Sequence, residues 1–99
     1  MNINKINTSE KTVISLEGRL DTTTAPQLQP VLIPEFELSK DIELNFKDLA
    51  YISSAGLRVL LMAEKTAKAK EVNFTLTNVS AEILEVFEMT GFSEILTIL

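Results

Sequence analysis

The chain has 99 residues, the length of one ordinary domain, and 45% of them are apolar, enough for a single core. Cysteine and histidine are both absent, which closes disulfides, thiol chemistry, Ser-His-Asp and Cys-His arrangements and any histidine- or thiolate-ligated zinc site. A formal net charge of −5 points away from nucleic acid, which is bound by clustered Lys and Arg, and towards a protein partner or a basic surface.

Residues 2–6 and 12–17 read as a hairpin, with Ile14 and Leu16 inward and Asn7-Thr8-Ser9-Glu10 as its turn. Thr22-Thr23-Thr24 then offers helix N-caps, Pro26 suits a first helical turn, and Leu28, Val31 and Leu32 keep helical spacing up to Pro34. Strict alternation of Ile42, Leu44 and Phe46 with Glu43 and Asn45 predicts a half-buried strand, followed by a loop over residues 47–53. Residues 55–70 form the longest predicted helix, with Gly56, Val59, Leu60, Ala63 and Ala67 on one face and Arg58, Lys65 and Lys68 elsewhere. Val72, Phe74 and Leu76 alternate with Asn73, Thr75 and Thr77 in a further strand. Ser80 caps a last helix in which Ile83, Val86, Phe87 and Thr90 recur on one stripe and Gly91 is the stop, while the tail over residues 93–99 packs as a strand or a short helix.

The order β-β-α-β-α-β-α implies one mixed α/β domain spanning residues 1–99, with a sheet of four to five strands and helices mainly on one face. The longest apolar run, residues 59–63, falls far short of the roughly 20 residues that a bilayer span requires. Residues 1–5 have no secretory pattern, so the expected location is cytoplasmic, without membrane insertion. Gly18, Gly56 and Gly91 are isolated, so no phosphate-binding loop exists, and a serine activated by a lysine or a carboxylate would be the only enzymatic route left. No cofactor or metal is expected, and the chain reads as a non-enzyme. The ridge Glu82, Glu85, Glu88 and the stretch Lys65, Lys68, Lys70 read as solvated helix surface.

Three segments in order resemble the STAS domain family. Leu16-Glu17-Gly18-Arg19-Leu20-Asp21 resembles its L-x-G-x-L/I-D strand end. Leu44-Asn45-Phe46 through Asp48-Leu49-Ala50-Tyr51-Ile52-Ser53-Ser54-Ala55-Gly56-Leu57 is similar to the strand, loop and helix start that carry the regulatory serine of anti-sigma-factor antagonists. Asn78-Val79-Ser80 with Val86-Phe87-Glu88-Met89-Thr90-Gly91-Phe92 resembles the closing helix and its turn. The resemblance implies the STAS fold and a partner switch. An unphosphorylated antagonist binds an anti-sigma factor that is also a serine kinase, phosphorylation ends the complex, and a PPM-type serine phosphatase restores it. The family alternatives are a subunit of a transport system and a scaffold in a signalling assembly.

The chain departs from the family's D-S-[S/T]-G-L pattern at one place, because the position of the phosphorylated residue is Ala55. Ser53 stands at the pattern's aspartate and Ser54 at its first serine, so Ser54 is the expected acceptor and Ser53 the alternative. The partner-binding set implied by the resemblance is Asp21, Ser53, Ser54, Gly56, Leu57 and Arg58. All but Arg58 have a plainer reading: a serine N-cap worth about 1 kcal/mol, a capping role for Asp21, close helix packing for Gly56 and core packing for Leu57.

Overall fold

The computed structural model describes all 99 residues. Its elements are β1 (Asn2–Asn7), β2 (Thr12–Leu20), α1 (Ala25–Leu32), β3 (Asp41–Ile52), α2 (Ser54–Lys70), β4 (Asn73–Thr77) and α3 (Ala81–Thr90), with 3-10 turns over Ile33–Glu37 and Phe92–Glu94. The four strands lie in the order β1-β2-β3-β4; β1 runs antiparallel to β2, whereas β2, β3 and β4 run parallel. Alternation sets the faces: Ile14, Leu16, Ile42, Leu44 and Phe46 are fully buried under the helices, while Val13, Ser15, Glu43 and Asn45 on the opposite face remain half-exposed. One cluster of 23 buried apolar residues joins this face to α1, α2 and α3. Two aromatic contacts help to fix the layer. Phe36 meets Phe74 edge-on at 5.4 Å, and Phe87 of α3 lies 6.3 Å from Phe46 of β3.

The helix ends follow their local chemistry. Ser80 Oγ accepts from Ile83 N at 3.2 Å and Gly91 closes α3 with φ +83, as the sequence predicts. Helix α1 carries Pro26 in its first turn, where no N–H is needed, and is short because Pro30 inside it lacks an N–H and the chain tightens into the 3-10 turn after Leu32. Behind that turn, buried Glu35 accepts from Lys5 Nζ at 3.1 Å, Asn7 Nδ2 at 2.9 Å and Thr12 Oγ1 at 3.2 Å, which ties the turn to the β1–β2 hairpin. The tail uses both of its predicted options. After the second 3-10 turn, Ile98 pairs with Leu76, with Leu76 N donating to Thr97 O and Leu99 N to Leu76 O, each at 2.9 Å. This covers the open edge of β4.

One expectation is corrected. Residues 47–52, predicted as loop, continue β3 to Ile52. Alternation stops at Phe46 because the pairing with β2 slips twice: Ser15 faces Asn45 but Glu17 faces Asp48, and Gly18 faces Leu49 but Arg19 faces Tyr51. Each slip gives β3 an extra residue, so its inward positions fall at Phe46, Leu49 and Ile52, three apart, with Lys47-Asp48 and Ala50-Tyr51 exposed between them. A strand with period three escapes a search for period two.

Candidate functional site

Strands β2 and β3 are parallel, so their C-terminal ends lie at the same edge of the sheet, where Leu20 pairs with Ile52. Ser53 N donates to Leu20 O at 2.9 Å and extends the pairing by one bond. The chain leaves β2 into Asp21 and α1, and leaves β3 into Ser53 and α2. Two segments 32 positions apart in sequence, those of Asp21 and Ser53, are thereby set side by side at the strand ends, where open parallel sheets form their crevices.

Asp21 is built into the turn. Its Oδ1 accepts from Thr23 Oγ1 at 2.8 Å, Thr23 N at 3.0 Å and Thr24 N at 3.2 Å. The Thr24 hydroxyl accepts from Asp21 N at 2.8 Å and donates to Arg19 O at 2.7 Å. These bonds, led by the Thr23 hydroxyl, hold the Asp21 carboxyl below the ordinary carboxylate range. The other oxygen, Oδ2, lies 3.7 Å from Arg19 Nε.

Ser53 is the N-cap residue of α2 by backbone conformation, but its side chain makes no capping bond. Its Oγ is enclosed and has no hydrogen-bond partner. Ser54, the first residue of the helix, is exposed. The first backbone bond into the helix runs from Leu57 N to Ser53 O at 3.0 Å, so the N–H groups of Ser54, Ala55 and Gly56 precede it. Arg58, one turn after Ser54, is exposed on the same side.

Gly56 and Leu57 are buried. A Cβ on Gly56 would stand 2.8 Å from both Ile52 Cγ1 and Leu20 Cγ, so only glycine lets α2 press onto the ends of β2 and β3. Leu57 is 9% exposed because the helix turns its side chain into the core together with Leu60. Close helix packing at Gly56 and core packing at Leu57 are thus what the structure shows, and both positions lie beneath the exposed surface of the site. Beside Ser54, a cleft of about 220 Å³ opens between α1 and α2, lined among others by Thr22, Ala25, Pro26, Ala55, Arg58 and Met62. The sequence reading missed Arg19 and Tyr51. They lie opposite each other at the same strand ends, with the guanidinium 4.1 Å from the ring centroid. The only sequence signal was their position, two residues before Asp21 and Ser53.

Fold and site define a class of small α/β domains in which a serine-bearing helix springs from the end of a central parallel strand. The chain belongs to the STAS domain family, whose model matches residues 2–99. It is 31% identical over 100 residues to the anti-sigma-B factor antagonist of Bacillus subtilis (strain 168), an alignment covering 99% of this chain and 92% of the relative. The anti-sigma-B factor antagonist of Staphylococcus epidermidis is 28% identical over 97% of this chain and 90% of its own. Among solved structures, the anti-sigma factor antagonist SpoIIAA in its unphosphorylated form superposes with a TM-score of 0.77 at 22% identity, covering 99% of this chain and 87% of SpoIIAA. The phosphorylated form of Bacillus SpoIIAA gives 0.76 at 23% identity, covering 99% and 91%. These likenesses establish the fold.

Proposed function

We propose that this chain is an anti-sigma factor antagonist: a regulatory binding protein, not an enzyme, that docks an anti-sigma factor with serine kinase activity and is switched by phosphate on Ser54. The reading rests first on the Leu20–Ile52 pairing, which gathers Asp21, exposed Ser54 and Arg58 at one end of the sheet. It is supported by the names of the Bacillus subtilis and Staphylococcus epidermidis relatives and by SpoIIAA, a fold neighbour known in two phosphorylation states.

In this mechanism the unmodified surface binds the anti-sigma factor and frees the sigma factor that it held. Phosphate on Ser54 adds about −1.5 to −2 charges at the N-terminus of α2. The fold tolerates this, because the helix dipole and the N–H groups of the first turn favour an anion there. The docked partner does not, because the new charge must be desolvated or repelled in the centre of the contact. A PPM-type serine phosphatase then restores the binding form. Ser54 is the acceptor rather than Ser53, whose enclosed Oγ cannot approach a γ-phosphate without opening the strand end.

The test is to incubate the wild type, Ser53→Ala and Ser54→Ala with ATP and the anti-sigma-factor kinase of the same organism, then to locate phosphate by peptide mass analysis. Phosphate is expected on the wild type and Ser53→Ala and absent from Ser54→Ala. Phosphate that persists on Ser54→Ala and vanishes from Ser53→Ala moves the site to Ser53. Tight kinase binding with no phosphate on any form makes the chain an unswitched antagonist.

A further inference from the structure

The exposed pair Arg19 and Tyr51 is not used by the serine switch, and its geometry is specific. The second slip in the β2–β3 register falls between Gly18, which has φ +109, and Arg19. Without it Arg19 would face Ala50; with it Arg19 faces Tyr51. Bulges often re-aim a side chain beside a functional site, and this one delivers a guanidinium onto an aromatic ring at 4.1 Å. The Arg19 side chain is nevertheless 61% exposed and Tyr51 41% exposed, so the stack covers one face of the guanidinium and leaves its edge open. The nearest carboxylate oxygen, Asp21 Oδ2, is 3.7 Å from Nε, beyond hydrogen-bond length. No hydrogen bond within the chain occupies the fork, which is oriented by the ring below and by the Asp21 charge beside its Nε.

We propose that Arg19, braced on Tyr51, reads a carboxylate on the docked protein partner and so sets which anti-sigma factor this chain accepts. A planar fork matches a carboxylate through two parallel hydrogen bonds, which a lysine cannot reproduce. Stacking holds the side chain before the partner arrives, so little rotamer freedom is lost on binding. Arginine and tyrosine are also the residue types that dominate the energetics of protein contacts. The pair adjoins Asp21 and Ser53 in sequence and stands at the same strand ends, so one partner surface covers both features. The inference rests on the antagonist reading above.

The experiment measures the affinity of the purified anti-sigma-factor kinase of the same organism for the wild type, Arg19→Lys, Arg19→Glu and Ser54→Glu, with circular dichroism to show that each is folded. Arg19→Glu is expected to weaken binding by roughly 30-fold or more and Arg19→Lys by roughly tenfold, with a shallower salt dependence in Arg19→Glu. Replacing one surface Asp or Glu of the kinase by Arg should restore binding to Arg19→Glu, a rescue that a merely structural role for Arg19 does not allow. If the wild type binds, Ser54→Glu releases the kinase and Arg19→Glu binds within about twofold of wild type, this inference is overturned while the antagonist reading stands. If Arg19→Glu weakens binding but no acidic position of the kinase gives rescue, the carboxylate assignment is overturned. A kinase that binds no form, the wild type included, sinks the antagonist reading and this inference with it.

Discussion

Gly56 occupies a point where Leu20 and Ile52 leave no room for a methyl group. In an open helix Gly→Ala stabilises by about 1 kcal/mol, but here a new Cβ at 2.8 Å from two core side chains costs about 1–3 kcal/mol in overpacking. Overpacking wins, so Gly56→Ala should lower the urea midpoint; a rise would show that α2 has slack over the strand ends. Asp21 poses a different question because charge and capping can be separated. Asn keeps an acceptor at the Oδ1 position for Thr23 and Thr24, so Asp21→Asn should melt close to wild type yet bind the anti-sigma factor more weakly. Asp21→Ala removes both functions and should lose stability as well. If Asp21→Asn unfolds while its folded fraction binds normally, Asp21 is only a cap.

At the scale of elements, the 3-10 turn Ile33–Glu37 is held to the β1–β2 hairpin by Glu35, which is 3% exposed. Burial opposes its charge, but Lys5, Asn7 and Thr12 together outweigh burial and hold the carboxyl below its ordinary value. In the acid range the unfolded chain therefore takes up this proton before the folded one does. The contribution of Glu35 is complete above the ordinary carboxylate pKa and is lost as pH falls through the lowered folded value. Glu35→Gln should cost about 1–3 kcal/mol at neutral pH, measured by urea denaturation, and should flatten the loss of stability on acidification. An unchanged acid profile in the variant would mean that other carboxylates, such as Glu43 with Thr77 and Lys11, carry that loss.

For the whole molecule, the switch predicts a change of surface and not of fold. Phosphorylated protein, or Ser54→Glu, should melt within a few degrees of wild type while losing its partner; a large drop in melting temperature would show that Ser54 supports the helix start instead of switching its surface. No cluster of carboxylates suited to a metal ion occurs, and no helix is long and apolar enough to cross a membrane. Circular dichroism and melting should accordingly be indifferent to a chelator.

Hydropathy period and end signals were sufficient for much of this. The alternation from Ile42 to Phe46, the stripe of α2, the Ser80 cap and the Gly91 stop each depend on neighbours within a few residues, and the structure has them where the sequence placed them. The motifs around Asp21 and Ser54 were legible for the same reason. What the sequence could not carry was pairing between distant segments. The two slips between β2 and β3 turned a predicted loop into strand and set Arg19 over Tyr51. The sequence already put Ser54 ahead of Ser53; only the tertiary structure shows how differently the two sit, because the Leu20–Ser53 bond draws one into the strand end and the first turn of α2 leaves the other in solvent.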